Sequence, residues 1–108
     1  MGDRGNVKLV YENKSKIYIY SHWTRSELPQ LVANALHFGE SRWDDEQYLA
    51  RVIFQTVIDN DDGVTNYGLS PYRGDGDDTV TVYLDENEVA NSSGDKFTFR
   101  QWVDMHLK

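Results

Sequence analysis

Residues 44–59 read DDEQYLARVIFQTVID, and this stretch predicts the clearest element of the chain, an amphipathic helix. Asp44 is the predicted N-cap, and Gln47 three positions later completes a predicted capping box. Trp43, at the entry of the helix, is expected to be largely buried. Side chains spaced three and four residues apart form one mostly apolar face, which favours packing on a core. That face consists of Leu49, Val52, Ile53, Thr56 and Val57.

A second, shorter helix is predicted upstream of this stretch. Thr24 and Ser26 are both candidate N-caps. Ser26 is preferred because it places Pro29 in the first turn, where the missing N–H group costs nothing. Gly39 suits the C′ position just beyond the helix end. The predicted buried stripe consists of Leu28, Leu31, Val32, Ala35 and Leu36.

Strands are predicted on both sides of this helical pair. Residues 7–11 and 16–22 alternate in the manner of strands, and the turn residues between them predict a hairpin. Further strand candidates follow the helices at residues 67–72, 79–85 and 88–91, and residues 96–98 are a candidate strand end. The best of these is TVTVYL, residues 79–84, because it alternates and is rich in β-branched residues.

The chain closes with a short predicted helix that Thr98 caps. Gln101 occupies N3 and completes a capping box, while Phe97 and Trp102 occupy the two positions of a hydrophobic staple. The resulting order ββααβββα predicts an α+β fold, with a small, mostly antiparallel sheet, two central helices and a C-terminal helix. At 108 residues, the chain is predicted to form a single domain, residues 1–108.

Several absences bound the chemistry of the chain. It has no cysteine, which excludes disulfides and thiolate metal sites. Residues 59–63 read DNDDG, but Gly63 and Ser70 stand where a calcium loop needs its fifth and twelfth ligands. We therefore expect no metal and no other cofactor. No apolar run approaches the roughly 20 residues of a membrane span, and the first residues lack the apolar core of a signal peptide. We expect a cytoplasmic protein that contacts no membrane.

Negative charge is concentrated in one region, between Asp59 and Glu88. This segment holds nine acidic residues against the single cation Arg73, a net −8, while the rest of the chain carries +1. A field of one sign attracts basic surfaces and repels nucleic acid phosphate. We therefore expect a basic protein partner and no direct nucleic acid contact. The candidate partner-binding residues are Asp59, Asp61, Asp62, Asp75, Asp77, Asp78, Asp85, Glu86 and Glu88.

A second candidate site would bind an anion, because guanidinium groups suit phosphate and carboxylate. Its residues are Arg4, His22, Trp23, Arg42 and Arg51. The alternative is a structural role, in which the last two arginines form ion pairs with nearby acids. Those acids are Asp3, Asp44 and Asp45.

His22 is the best single candidate for chemistry, as a general base or a metal ligand. However, His37 and His106 show no ligand spacing to it. We expect His22 to fix the turn before the first helix, and we assign no catalytic residue.

Several short motifs lie along the first two thirds of the chain. They are GDRGN at residues 2–6, YSHW at 20–23, LP at 28–29, RWDDEQYLAR at 42–51 and GLS at 68–70. In these motifs the chain resembles an uncharacterised family of small bacterial and phage proteins. The resemblance implies no activity, but its link to phage suggests a protein that acts on a host component.

Three functional hypotheses follow. The leading one is a small acidic binding protein of the phage counter-defence type, an inhibitor rather than an enzyme. It would dock on a basic nucleic-acid-handling host protein, such as a CRISPR effector, and occupy the surface meant for phosphates. The alternative is a nucleotide or small-anion binding protein that acts as a sponge or an enzyme through the anion site. The third is an accessory subunit without a site. The sequence does not indicate the oligomeric state.

Overall fold

The computed structural model describes residues 4–22, 24–60, 67–74 and 76–107. These residues form an α+β fold, as predicted, in which one sheet packs against three helices. The strands are β1 (Gly5–Val10), β2 (Lys16–Ser21), β3 (Tyr67–Ser70), β4 (Asp77–Tyr83), β5 (Glu88–Asn91) and β6 (Lys96–Thr98). The helices are α1 (Leu28–Phe38), α2 (Glu46–Asp59) and α3 (Phe99–His106), with 3₁₀ turns at Arg25–Glu27 and Glu40–Arg42.

The strands lie in the order β3-β2-β1-β4-β5-β6, so β1 and β4 occupy the middle of the sheet. These two strands pair in parallel, and every other neighbouring pair is antiparallel. The prediction of a mostly antiparallel sheet is therefore confirmed. β6 adds one strand to the predicted order, at the candidate strand end of residues 96–98.

The helices cover one face of the sheet. Alternate strand residues point to this face and are buried, among them Val7 and Leu9 of β1, Ile19 of β2, and Val80 and Val82 of β4. α1 packs over β4, α3 packs over β5 and β6, and α2 lies beside α1. The predicted helical stripes contribute Leu28, Leu31, Val32, Ala35, Leu36, Leu49, Ile53 and Val57 to the core, while Val52 and Thr56 are half-buried.

α2 begins one residue later than the sequence predicts. Asp45, not Asp44, is the N-cap, and its Oδ1 accepts a hydrogen bond from the Tyr48 N–H at 3.3 Å. Asp44 lies inside a turn that the hydrogen bond from the Asp45 N–H to the Arg42 carbonyl closes at 3.0 Å. The capping box predicted with Gln47 is therefore wrong, because the cap and its third helical residue both move by one position.

α1 also departs from its predicted cap. A 3₁₀ turn leads into the helix and Glu27 occupies the N-cap position, so the assignment of Ser26 is wrong. The hydroxyl of Thr24 is engaged elsewhere, at 2.6 Å from the Tyr67 hydroxyl of β3. Gly39 follows the last turn as predicted, but its φ of −96° lies outside the left-handed region.

α3 begins where the sequence predicts. The Gln101 N–H donates to the Thr98 hydroxyl at 3.1 Å, and the Thr98 N–H donates to the Gln101 side chain at 2.9 Å, which completes the capping box. The rings of Phe97 and Trp102 lie 5.7 Å apart, as the predicted staple requires. The indole N–H of Trp102 donates to the Pro29 carbonyl at 3.1 Å and so joins α3 to α1.

The described part of the connection between β3 and β4 crosses the sheet face opposite the helices. Gly74 packs there on Tyr20, where a Cβ atom would lie 2.7 Å from the ring. Asn6 is fully buried and holds the crossing, because its Oδ1 accepts the Gly74 N–H at 3.1 Å and its Nδ2 donates to the Asp77 carbonyl at 3.1 Å. One buried amide thus fixes the point where β4 starts.

Candidate functional site

The acidic residues predicted to bind a partner lie at two ends of the sheet. Asp77 begins β4 and Asp85 follows it, so the seven-residue strand separates them by roughly 20 Å. Glu86 and Glu88 lie near Asp85, and their carboxylates are 4.0 and 3.9 Å from the Lys96 ammonium. The structure therefore does not gather the described members of the acidic segment on one rim.

Two other members of the segment are already engaged within the protein. The Oδ2 atom of Asp78 lies 4.0 Å from the Lys8 ammonium and 3.9 Å from the Arg73 guanidinium. Asp59, the last residue of α2, accepts a hydrogen bond from the Gln55 amide at 2.8 Å. The remaining predicted partner-binding residues lie outside the described residues: Asp61, Asp62 and Asp75.

Asp77 is held by a bidentate ion pair. The Arg25 Nε and Nη2 atoms donate to its two carboxylate oxygens at 3.0 and 2.7 Å, and the Thr79 hydroxyl donates at 2.7 Å. The hydrogen bonds from Arg25, with help from Thr79, hold the pKa of Asp77 at about 2, below its ordinary value of 3.8. This carboxylate joins the turn before α1 to the start of β4, which is a structural role.

We expect the Arg25–Asp77 pair to make stability depend on pH in acid. Because folding lowers the pKa of Asp77, the pair stabilises the protein above about pH 3.8, and this contribution is lost as the pH falls toward about 2. Asp77→Asn should flatten the acid limb of the denaturant midpoint, whereas Asp104→Asn, at an exposed position of α3, should leave it unchanged. Identical acid limbs in the wild type and both variants would contradict this role.

The other end of the sheet carries an acidic cleft, which we define by the carboxylates that line it. It is an open cleft of about 740 Å³ between the residue after β1, the start of α2 and the turn after β4. The lining carboxylates are Glu12, Asp44, Asp45, Glu46 and Asp85. Arg42 is the cation among the lining residues, so the five acids leave a formal charge of −4.

The carboxylates of the acidic cleft differ in what they already bind. Asp45 caps α2, and Glu46 accepts the backbone N–H of Glu12 at 2.9 Å, which fastens the helix start to the first hairpin. In the part of the chain that the structure describes, the side chains of Glu12, Asp44 and Asp85 have no hydrogen-bond or ion-pair partner. These three carboxylates are therefore available to a cationic partner.

Nearby groups reflect the negative field of the acidic cleft. Burial raises the pKa of Tyr11, and the charge of Glu46 raises it further. The guanidinium carbon of Arg42 lies 4.3 Å from the centre of the Tyr48 ring, so this cation is partly occupied by an aromatic face. The cleft thus keeps most of its negative charge uncompensated.

Trp43 forms an aromatic wall of the acidic cleft. It is half-buried rather than largely buried, because one side of its ring faces the cleft and the Arg100 guanidinium, 5.1 Å away. Its indole N–H donates to the Leu36 carbonyl at 2.9 Å, and its ring meets the edge of Phe99 at 5.3 Å. A partner that enters the cleft therefore meets both carboxylates and an indole.

The residues of the predicted anion site are spread over the molecule. Arg4 and His22 flank β1 and β2 at one end of the sheet, whereas Arg42 lines the acidic cleft at the other end. Arg51 is exposed on the outer face of α2, and Trp23 lies outside the described residues. The structure therefore does not place the described members in one pocket.

The predicted ion pairs of Arg42 and Arg51 with acids at the helix junction are also not found. Among the described residues, neither guanidinium lies within 4 Å of a carboxylate. The His22 Nδ1 atom is 3.1 Å from the Tyr20 hydroxyl, and the Ser21 hydroxyl bonds to Thr24 at 2.8 Å. The two neighbours at the end of β2 are thus engaged in local contacts.

No protein-family model, curated protein or solved structure matches the chain. The resemblance to the bacterial and phage family stays a prediction from the sequence motifs. Across the described ranges, no three histidine or acidic side chains stand together as metal ligands. Over the same ranges, no helix is long and apolar enough to cross a membrane.

Proposed function

We propose that this chain is a binding protein that docks on a basic surface of another protein through the acidic cleft. One observation carries the proposal: five carboxylates from three separate segments line a single opening with one cation. Exposed charge of one sign steers an oppositely charged surface into contact and sets the orientation of docking. Trp43 in the cleft wall adds an aromatic anchor of the type that dominates binding energy at interfaces.

The chemistry of the acidic cleft points to a partner with clustered arginine or lysine side chains. Proteins that handle nucleic acids carry such surfaces to neutralise phosphates, and carboxylates compete for the same cations. Together with the motif resemblance to phage proteins, this supports inhibition of a host nucleic-acid-handling protein, such as a CRISPR effector. In that role the chain would occupy the surface meant for phosphates and would not itself contact nucleic acid.

A pair of variants with equal net charge tests this proposal. The cleft variant removes the three available carboxylates: Glu12→Gln, Asp44→Asn and Asp85→Asn. The control variant removes three exposed acids elsewhere: Glu27→Gln, Asp95→Asn and Asp104→Asn. Each variant changes the formal net charge from −7 by three units, so the two differ only in where charge is lost. The probe is a synthetic oligo-arginine peptide, titrated at several salt concentrations.

We expect the cleft variant to bind the peptide about threefold to a hundredfold more weakly, because each exposed charge pair contributes about 0.2–1 kcal/mol. The control variant should lose much less, since charges more than about 8 Å from the peptide are screened at physiological ionic strength. Wild-type binding should weaken steadily with salt. Equal losses in the two variants would show that only net charge matters and would reject the acidic cleft as the site.

A further inference from the structure

One edge of the sheet is open and uncharged. β3 (Tyr67–Ser70) is the outermost strand, and none of its residues is charged. The opposite edge strand, β6, is three residues long and begins with Lys96, which lies near two glutamates of β5 and its turn. Short length and charge on an edge strand discourage pairing with another chain. The β6 edge has this protection and the β3 edge does not.

A groove runs along the open edge, between β3 and α2. It has a volume of about 220 Å³, and its apolar walls include Ile17, Phe54 and Leu69. Leu69 pairs with the fully buried Ile19 of β2 and therefore points to the helix-covered face, yet its side chain is 58 % exposed. α2 does not reach over the edge strand, so a side chain on the core-facing side of the sheet remains in solvent.

The exposed apolar surface continues from this groove onto the outer face of α2. Arg51 lines the groove, and it also lines a neighbouring one of about 350 Å³ with Phe38, which is 74 % exposed. Tyr48, about half exposed, adjoins Arg51 on its other side. Aromatic side chains around an arginine are the composition that protein interfaces favour.

We propose that a second copy of this chain covers the edge, with the two β3 strands paired antiparallel about a two-fold axis. Such pairing satisfies the outward N–H and C=O groups of both strands and keeps the two helical layers on the same side. It brings the exposed Leu69 of each copy against the groove of the other. Because the segment Tyr67–Tyr72 is uncharged, the two copies meet no like charge where the strands join.

The charge pattern of α2 favours a second copy over an unrelated partner. Arg51, Gln55 and Asp59 line one surface of the helix at intervals of four residues. A two-fold axis near Gln55 sets each Arg51 opposite the Asp59 of the other copy, which is the self-complementary arrangement that an isologous interface requires. The acidic cleft stays accessible, because it lies at the end of the sheet away from the start of β3.

The oligomeric state of the full chain tests this proposal. Sedimentation equilibrium over micromolar to millimolar concentrations should show a reversible dimer for the wild type. Leu69→Lys, which places a charge in the groove, should raise the dissociation constant about tenfold or more, since one buried charge mismatch costs at least about 1.4 kcal/mol. The matched control is Met105→Lys on α3, where an apolar side chain of similar exposure, 48 %, gains the same charge. This variant should dimerise as the wild type does.

Two further measurements make the test specific to the proposed geometry. Arg51→Asp should weaken the dimer, and combining it with Asp59→Arg should restore it, because the swapped charges again face each other. Backbone amides of β3 should exchange hydrogen faster on dilution, while those of β6 do not change. A wild type that stays monomeric, a Leu69→Lys protein that still dimerises fully, or a charge swap without recovery would overturn the proposal.

Discussion

Replacing Trp102 with alanine is expected to lower the free energy of unfolding by about 3–5 kcal/mol, the largest effect of any single change considered for this chain. The side chain is 2 % exposed, and its ring lies against Phe97 and His106, with centroids 5.7 and 4.6 Å away. Truncation leaves a cavity where α3 meets α1 and removes the donor to the Pro29 carbonyl. The measurement is the denaturant midpoint at constant slope.

The matched control for this change is Trp43→Ala. Trp43 also donates its indole N–H to a backbone carbonyl, but its ring is half exposed to the acidic cleft. Burial stabilises roughly in proportion to the area removed from water, at about 25 cal/mol per Å², so the loss at Trp43 should be clearly smaller. Asp45→Ala should cost about 1 kcal/mol as a lost N-cap, and Asp44→Ala should cost little. Equal losses at the two tryptophans would contradict this assignment of the core.

The second large effect is expected for Asn6→Ala. Its fully buried amide bonds to the Gly74 N–H and the Asp77 carbonyl, and so fixes the crossing between β3 and β4. Each buried polar group left without a partner costs about 1–3 kcal/mol, and the alanine creates a void as well. We expect a loss of about 2–4 kcal/mol in the free energy of unfolding.

Asn91→Ala is the control for Asn6→Ala. The Asn91 side chain accepts the N–H groups of Ser93 and Asp95, each at 3.0 Å, but in a solvent-exposed turn. Water replaces these hydrogen bonds when the amide is removed, so the loss should stay within about 1 kcal/mol. A loss as large at Asn91 as at Asn6 would mean that burial of the amide does not decide the effect.

The elements that the sequence predicts correctly are those with local signals. The start of α3 carries a capping box and a staple within six residues, Phe97 to Trp102, and both form. At α2 the sequence offers two equivalent acids side by side, and nothing local decides between Asp44 and Asp45. A hydrogen bond across the preceding turn makes that choice, and the helix start moves by one residue.

The candidate site was harder to predict, because closeness in sequence is a poor guide to closeness in this sheet. The acidic run from Asp59 to Glu88 contains β4, and an extended strand carries its two ends apart. Glu12 and Asp85 are far apart in sequence but line the same cleft, since β1 and β4 pair in parallel and end together at Val10 and Tyr83. Parallel pairing between distant strands leaves no local signal. The acids at the start of α2 were therefore interpreted as capping residues alone.

The most direct test of the account is to locate where a cationic ligand binds. Backbone amide shifts of the wild-type chain, followed by NMR during titration with the oligo-arginine peptide, report the contact surface residue by residue. The account predicts that shifts concentrate around Glu12, residues 44–47 and residues 85–87, and that high salt abolishes them. Shifts centred instead on Asp77 and Asp78, or spread evenly over all exposed acids, would contradict the claim that the acidic cleft is the docking site.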